Sequence, residues 1–243
     1  GLGGAVFGAV LGSRVAAGAG LRALDWVAAA LAGAAALAVL VRHAPRRREA
    51  ASAPTPAPPV GAHLLLRLWV VFAAGSLGGL VALGLAQPIS ADRGAGAWLS
   101  AAAVVAVALG NVSGRLGAGL LARRLAPQAV VGGAQALGGL ALALLLLPTG
   151  PVATALLMTG VALGYGLTAA GVPLLARRAA GPEAFAHTFG IVFTGWGAAG
   201  LIGPWFAAAL RDRTGNWESG LALALGGSLV ALAALATGRW TRR

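Results

Sequence analysis

Long apolar stretches, separated by short charged or proline-containing connections, dominate this chain. A helix needs about 20 mostly apolar residues to cross a hydrocarbon core of ~30 Å. When charges and Pro or Gly breaks are taken as boundaries, the stretches lie at 2–19, 23–41, 64–87, 96–120, 128–147, 151–176, 187–210 and 219–238. The pattern predicts an all-α integral membrane protein with eight transmembrane helices in this chain.

The composition favours the same class and excludes several others. Only 10% of the 243 residues are charged, whereas about a quarter are charged in an ordinary globular domain. The mean hydropathy of +0.84 leaves too little polar surface for a protein dissolved in water. Because the chain has no cysteine, a disulfide framework and thiol chemistry are both excluded.

The positions of the arginines predict the topology. All 18 basic residues are arginine, and one set of alternate connections carries most of them. That set comprises Arg42, Arg46, Arg47, Arg48, Arg123, Arg124, Arg177, Arg178, Arg239, Arg242 and Arg243. The positive-inside rule predicts that these connections and both chain ends are cytoplasmic, in a multi-pass protein of a cell membrane such as a bacterial inner membrane. The net charge of +12 is thereby explained without nucleic-acid binding, for which no basic stripe interleaved with aromatics is present.

One long connection divides the chain into three predicted regions. Residues 43–62 are rich in Pro, Ala and Arg and read as an extended cytoplasmic linker. We expect residues 1–42 to be the last two helices of an N-terminal bundle and residues 63–243 to be a six-helix C-terminal bundle. Residues 1–48 and 190–243 share one order of Gly-rich helix, short outer loop, Ala/Leu helix and arginine cluster. Such a parallel repeat indicates helices five to twelve of a twelve-helix protein, of which this chain is a fragment.

Arg115 is the strongest candidate for a functional residue. It precedes Arg123 by eight residues, or ~12 Å of helix, so its charge lies within a predicted span. Charges there are costly and usually face a cavity or a partner. Asn111 lies four residues earlier on the same helical face, and no acid occurs between Asp92 and Glu183. An unpaired guanidinium suits a carboxylate substrate; the alternatives are snorkelling to the cytoplasmic surface or an acid elsewhere in the protein.

Other residues inside the spans are weaker candidates. Tyr165, Thr194 and Trp196 either line a substrate pocket or contribute to packing. Two Gly–Pro pairs predict helix hinges, because proline removes a backbone hydrogen bond: Gly171 with Pro173, and Gly203 with Pro204. The tryptophans near span ends are predicted to be interfacial anchors: Trp69, Trp98, Trp205, Trp217 and Trp240.

Enzymatic function is not indicated by any motif. The sequence has no HExxH, no GxSxG and no phosphate-binding GxxxxGK[ST], and its six acids fall in loops or at helix ends. No catalytic residue, cofactor or metal site is therefore predicted. Two classes remain open, a transporter and a non-transporting membrane receptor or scaffold.

Two segments resemble the major facilitator superfamily and, more narrowly, its oxalate/formate antiporter family. Residues 110–124, which read GNVSGRLGAGLLARR, resemble the eighth helix and the following cytoplasmic loop of that family. Residues 189–204, which read FGIVFTGWGAAGLIGP, are similar to its eleventh helix, and residues 1–48 are similar to helices five and six. The resemblance implies a monomeric secondary transporter of a small organic anion, which moves by alternating access in the lipid bilayer together with a coupled ion or counter-anion.

The resemblance also implies roles for individual residues. Arg115 would contact a substrate carboxylate, and Tyr165 and Trp196 would line the cavity. Arg123 and Arg124 fall in the cytoplasmic gate loop, where the family usually carries an acid followed by arginine.

The resemblance also implies which class of carboxylate is the substrate. Oxalate carriers share a second basic residue in the eleventh helix, and residues 188–210 contain none. A monocarboxylate is therefore predicted rather than a dicarboxylate, with another small solute as the alternative.

Overall fold

The computed structural model describes residues 60–237 and Trp240. The predicted spans 2–19 and 23–41, and with them the predicted N-terminal segment 1–42 and nearly all of the linker, lie outside the described residues. The described region forms five helices: α1 Ala62–Asp92, α2 Ala97–Leu121, α3 Pro127–Leu145, α4 Pro151–Thr214 and α5 Glu218–Ala236. Each of the five is long and apolar enough to cross a membrane.

The long helix α4 explains why six predicted spans in this region correspond to five helices. The predicted spans 151–176 and 187–210 both lie within it, and helical dihedrals are interrupted at Gly181, with φ 80° and ψ 165°. Glycine adopts this conformation without a Cβ penalty. Pro182 follows, and proline suits the first turn of a helix because that turn has no use for its missing amide. A single residue thus replaces the loop expected between the spans, and the predicted count of eight helices is not confirmed.

The four predicted hinge residues lie in helical backbone. Pro173 and Pro204 are inside α4, and neither departs from helical dihedrals. Gly171 and Gly203 are both buried in contacts with neighbouring helices. Their role as hinges stays a prediction, whereas the observed interruption of α4 is at Gly181.

Close approaches between helices define the topology. The first half of α4 (residues 151–180) runs parallel to α2 and antiparallel to α3, and the second half (residues 182–214) runs parallel to α1. Helix α5 is antiparallel to α1, because the start of α1 meets the end of α5. One end of the bundle therefore gathers residues 121–127 and 177–183, and we call it the arginine end. The opposite end, which we call the paired end, gathers residues 92–97, 145–151 and 211–218.

Glycines allow α2 and the first half of α4 to touch backbone to backbone. A Cβ on Gly114 would collide with the carbonyl oxygen of Leu163, and one on Gly166 would collide with the carbonyl oxygen of Asn111. Lipid tails are as apolar as leucine, so association of membrane helices depends on close packing of this kind. The contact fixes where the last turns of α2 lie beside α4.

Arg93 joins three chain segments at the paired end. Its guanidinium donates to the carbonyl oxygens of Leu145 at 2.7 Å and Leu147 at 3.0 Å, and to the Thr149 hydroxyl at 2.6 Å. It also pairs with Glu218 at the start of α5, at 3.3 Å. Because the last carbonyls of a helix lack intrahelical partners, Arg93 both caps α3 and attaches it to α5.

Two tryptophans predicted as interfacial anchors are largely buried in contacts within the protein. Trp217 is 7% exposed and donates its indole N–H to Asp92 at 2.7 Å, a carboxylate that also accepts from Arg211 at 2.8 Å. Trp240 is 5% exposed and donates to the carbonyl oxygen of Leu235 at 2.9 Å. Each indole thus hydrogen-bonds to the protein near one end of the bundle, and its role as an interfacial anchor stays a prediction.

The seam between α2 and α4 generates a first prediction. We expect Gly114→Ala in the full-length protein to lower the free energy of unfolding by about 1–3 kcal/mol, because the added methyl group overpacks a backbone contact. Gly119→Ala is the matched control on the same helix, since nothing lies within 4 Å of its Cβ position. Unfolding in detergent micelles measures the stability of both variants. Equal stability would contradict a backbone contact between α2 and α4 at Gly114.

The capping role of Arg93 generates a second prediction. We expect Arg93→Ala to lower the free energy of unfolding by about 1.5–3 kcal/mol, because the carbonyls at the end of α3 lose a charged donor. Arg213→Ala is the control, since Arg213 is exposed at the same end. If the two variants unfold alike, Arg93 does not hold the paired end together.

Candidate functional site

Arg115 lies in the last turns of α2, six residues before its end, and its side chain is exposed. Its Nε donates to the Asn111 side-chain oxygen at 3.0 Å. The two residues are one helical turn apart, so the pairing is local. Because Asn111 engages the Nε, it orients the guanidinium.

Tyr165 faces Arg115 from the first half of α4. The guanidinium carbon lies 5.9 Å from the centre of the tyrosine ring, within the range of a cation–π contact. Tyr165 is only 3% exposed, and its ring packs directly on Gly79 of α1, where a Cβ would collide with it. The absence of a side chain at Gly79 thus lets the ring lie between α1 and α2.

Trp196 extends this contact into the second half of α4. Its indole N–H donates to the Tyr165 hydroxyl at 2.6 Å. Arg115, Tyr165 and Trp196 therefore form a row across α2 and both halves of α4; with Asn111 we call it the Arg115 row. The structure brings together four of the five residues predicted to contact substrate.

Thr194, the fifth, engages a different helix. Its hydroxyl accepts from the Trp69 indole at 3.0 Å and donates to the carbonyl oxygen of Ile191 at 2.7 Å. It lies two residues from Trp196, and its bonds attach the second half of α4 to α1. Its place in a substrate site stays a prediction.

Sequence reasoning missed an aromatic stripe beside the Arg115 row. Phe193 stacks on Trp196 with ring centres 4.9 Å apart, and Phe189 and Phe185 continue the stripe at 5.7 Å and 5.5 Å. The spacing of four residues between the phenylalanines was the available signal, because residues four apart share a helical face. The stripe supplies apolar surface next to Trp196, at the far end of the row from Arg115.

A buried amide beneath the row was also missed. Gln135 of α3 is 2% exposed and donates to the Thr168 hydroxyl at 2.7 Å and to the carbonyl oxygen of Gly75 at 3.2 Å. The cavity beside it, which Tyr165 and Ser228 also line, has a volume of about 10 Å³. This is room for one water molecule, so the space serves packing and not substrate.

The charges around the Arg115 row are unbalanced. The two ion pairs among the described residues, Arg93 with Glu218 and Arg211 with Asp92, both lie at the paired end. Within residues 60–237, Arg115 has no carboxylate in ion-pair range. Over the same stretch, no group of three His, Asp or Glu side chains is placed to hold a metal ion.

The predicted gate-loop residues Arg123 and Arg124 lie apart from this row. Both are exposed in the turn after α2, at the arginine end. They follow Arg115 by eight and nine residues, which is ~12 Å or more along a helix. The structure therefore does not bring them to the candidate site.

The geometry of Arg115 determines what the row can bind. Asn111 engages the Nε, and among residues 60–237 no hydrogen bond engages the two terminal nitrogens, which can therefore meet a ligand. A guanidinium in this state can grip a carboxylate through parallel hydrogen bonds. Together with the aromatic rings beside it, the row can hold a small anion with an apolar group.

One comparison with known proteins identifies a family. A family model described as Major Facilitator Superfamily matches residues 1–204. The matched range includes every residue of the Arg115 row and Thr194. No curated protein matches the chain.

The hydrogen bond between Tyr165 and Trp196 generates a third prediction. In a double-mutant cycle of Tyr165→Phe and Trp196→Phe, we expect a coupling of about 1 kcal/mol in the free energy of unfolding, because either change removes the same bond. Tyr165→Phe with Trp205→Phe is the control cycle, since Trp205 is 67% exposed. A coupling no larger than the control's would show that the bond does not form.

Proposed function

The chain belongs to the Major Facilitator Superfamily, and from this premise we propose that it is a secondary active transporter of a small monocarboxylate. Membership and the five long apolar helices make it a multi-pass membrane protein of a transporter family. A transporter family agrees with a sequence that carries no enzymatic motif. The substrate and the mechanism are the elements that we propose.

One observation carries the choice of an anion: the terminal nitrogens of Arg115, beside Tyr165, have no hydrogen-bond partner among the described residues. The guanidinium is oriented by Asn111 and flanked by an aromatic ring, while the described residues supply it with no carboxylate. A cation within a predicted span is costly unless something neutralises it. A substrate carboxylate is the simplest neutralising group, as the resemblance to the oxalate/formate antiporter family also suggests.

The number of cations at the row supports a monocarboxylate. Arg115 provides one positive charge there, and residues 188–210 in the second half of α4 contain no basic residue. A dicarboxylate requires a second cation to avoid an unpaired buried charge. Exchange against another anion or coupling to an ion then drives transport.

The proposed mechanism is alternating access in a monomer, by rocking of two bundles around the row. Residues 63–243 form the C-terminal bundle in this scheme and residues 1–42 belong to the other. Arg123 and Arg124 lie in the loop assigned to the cytoplasmic gate. The Gly–Pro pairs at 171–173 and 203–204 supply flexible points in α4.

A fourth prediction tests the role of Arg115. In the full-length protein, we expect Arg115→Ala to reduce uptake of a radiolabelled monocarboxylate at least about tenfold, because a charged hydrogen-bond donor to the substrate is lost. Arg115→Lys retains the charge but not the two-pronged geometry and should fall between. Arg213→Ala, a change to an exposed arginine at the paired end, should transport normally.

Two outcomes would contradict the proposal in different ways. Unchanged uptake by Arg115→Ala would remove this residue from the substrate site. Absence of substrate-dependent counterflow in liposomes for every monocarboxylate tried would favour a non-transporting receptor or scaffold. Counterflow of an uncharged solute instead would favour transport of another small solute.

A further inference from the structure

Four arginines at the arginine end have no protein partner among the described residues. Arg123 and Arg124 follow α2, while Arg177 and Arg178 lie near the end of the first half of α4, and all four are exposed. Within residues 60–237, no side-chain hydrogen bond or ion pair engages them. At the paired end, by contrast, Arg93 and Arg211 are both bound to carboxylates.

The packing of α2 against α4 brings the two arginine pairs close together. The close approaches between the parallel helices, from Gly110 with Thr159 to Asn111 with Gly166, have offsets of 49 to 55 residues. These offsets place positions 172 to 178 level with Arg123, so Arg177 lies within about 7.5 Å of it along the helix axis at 1.5 Å per residue. Both pairs therefore leave adjacent helices at one end of the bundle.

The charge of this cluster is not cancelled by the acid nearest to it in sequence. Glu183 is exposed and follows Gly181 by two residues, in the first turn of the second half of α4. A carboxylate in that position complements the positive end of the helix dipole. It makes no ion pair with the arginines in the described structure, so the cluster keeps its positive charge.

An exposed apolar strip on α2 leads to this cluster. Val105, Leu109, Leu116 and Leu120 are 53%, 56%, 69% and 65% exposed. Their intervals of four, seven and four residues place them on one helical face. Arg123 follows Leu120 by three residues and stands at the end of the strip.

We propose that the arginine end binds the phosphate group of an anionic phospholipid, with an acyl chain lying along the strip on α2. Guanidinium groups match the geometry of phosphate oxygens, and basic clusters at the cytoplasmic ends of transmembrane helices bind anionic headgroups. A free phosphate ion would use the arginines but has no use for an apolar strip. The strip therefore favours a lipid as the ligand.

The proposal goes beyond the positive-inside rule. That rule explains why arginines collect on one side of the membrane. It does not require two arginine pairs on adjacent helices, with no partner among residues 60–237, at the end of an exposed apolar face. A site for one lipid headgroup accounts for the closeness of the two arginine pairs, for their lack of partners among the described residues and for the apolar face beside them.

The test compares two lipids on the purified full-length protein in detergent. Native mass spectrometry measures binding of phosphatidylglycerol and of phosphatidylcholine with the same acyl chains. We expect phosphatidylglycerol to bind more tightly, by a margin that shrinks as salt is raised. Each Arg→Gln change among the four should weaken phosphatidylglycerol binding about fivefold, which corresponds to about 1 kcal/mol per basic side chain.

Matched variants separate the possible sources of such binding. Arg213→Gln removes an exposed arginine at the other end and should leave the preference unchanged. Exchange of all four arginines for lysine keeps the charge and should retain most of the preference. Leu116→Ser with Leu120→Ser should weaken binding of both lipids alike, because the acyl-chain surface is lost.

Three results would overturn the proposal. A quadruple Arg→Gln variant that keeps the full preference for phosphatidylglycerol would place the lipid elsewhere. Equal competition by soluble glycerophosphate would identify a site for a free phosphate group instead. Equal binding of both lipids by the unchanged protein would mean that the four arginines serve only to orient the protein in the membrane. None of these results bears on transport through Arg115.

Discussion

The backbone contact between α2 and the first half of α4 is the constraint on which the candidate site depends. Gly166 lies against the backbone of Asn111 and Arg115, and it directly follows Tyr165 in the chain. Any separation of the two helices would therefore move the tyrosine ring away from the guanidinium. The glycines at this contact hold the two helices together by close packing, since lipid offers no hydrophobic drive for helix association.

The two ends of the bundle differ in whether their arginines are paired with carboxylates. At the paired end, arginines bind carboxylates and helix-end carbonyls, so α1, α3, α4 and α5 are held to one another. At the arginine end, Arg67 of α1 donates to the carbonyl oxygen of Ala234 at the end of α5 and lies 4.3 Å from the Trp240 ring, while Arg123, Arg124, Arg177 and Arg178 pair with none of the described residues. Among the described residues, the ion pairs are thus confined to the paired end.

Sequence reasoning succeeded where the interaction was local and failed where it was long-range. The described spans follow from the lengths of the apolar stretches, and the shared face of Asn111 and Arg115 follows from helix periodicity, both of which the sequence displays directly. The separation of spans 151–176 and 187–210 was predicted, but its reduction to the single residue Gly181 was missed, because the charged residues between the spans read as a loop. The burial of Trp217 depends on Asp92, 125 residues away, and no periodicity connects the two. Membership of the superfamily was recognised from motifs, but the narrower family and the substrate remain predictions.

The bond between Tyr165 and Trp196 closes a triangle whose apex is Gly181. Tyr165 precedes the glycine by 16 residues and Trp196 follows it by 15, so each arm is ~23 Å long at 1.5 Å per residue. A change of about 2.5° in the angle at the apex moves the ends of such arms ~1 Å apart, and a hydrogen bond does not survive beyond ~3.5 Å. The 2.6 Å hydrogen bond therefore breaks when the angle between the two halves of α4 changes by only a few degrees.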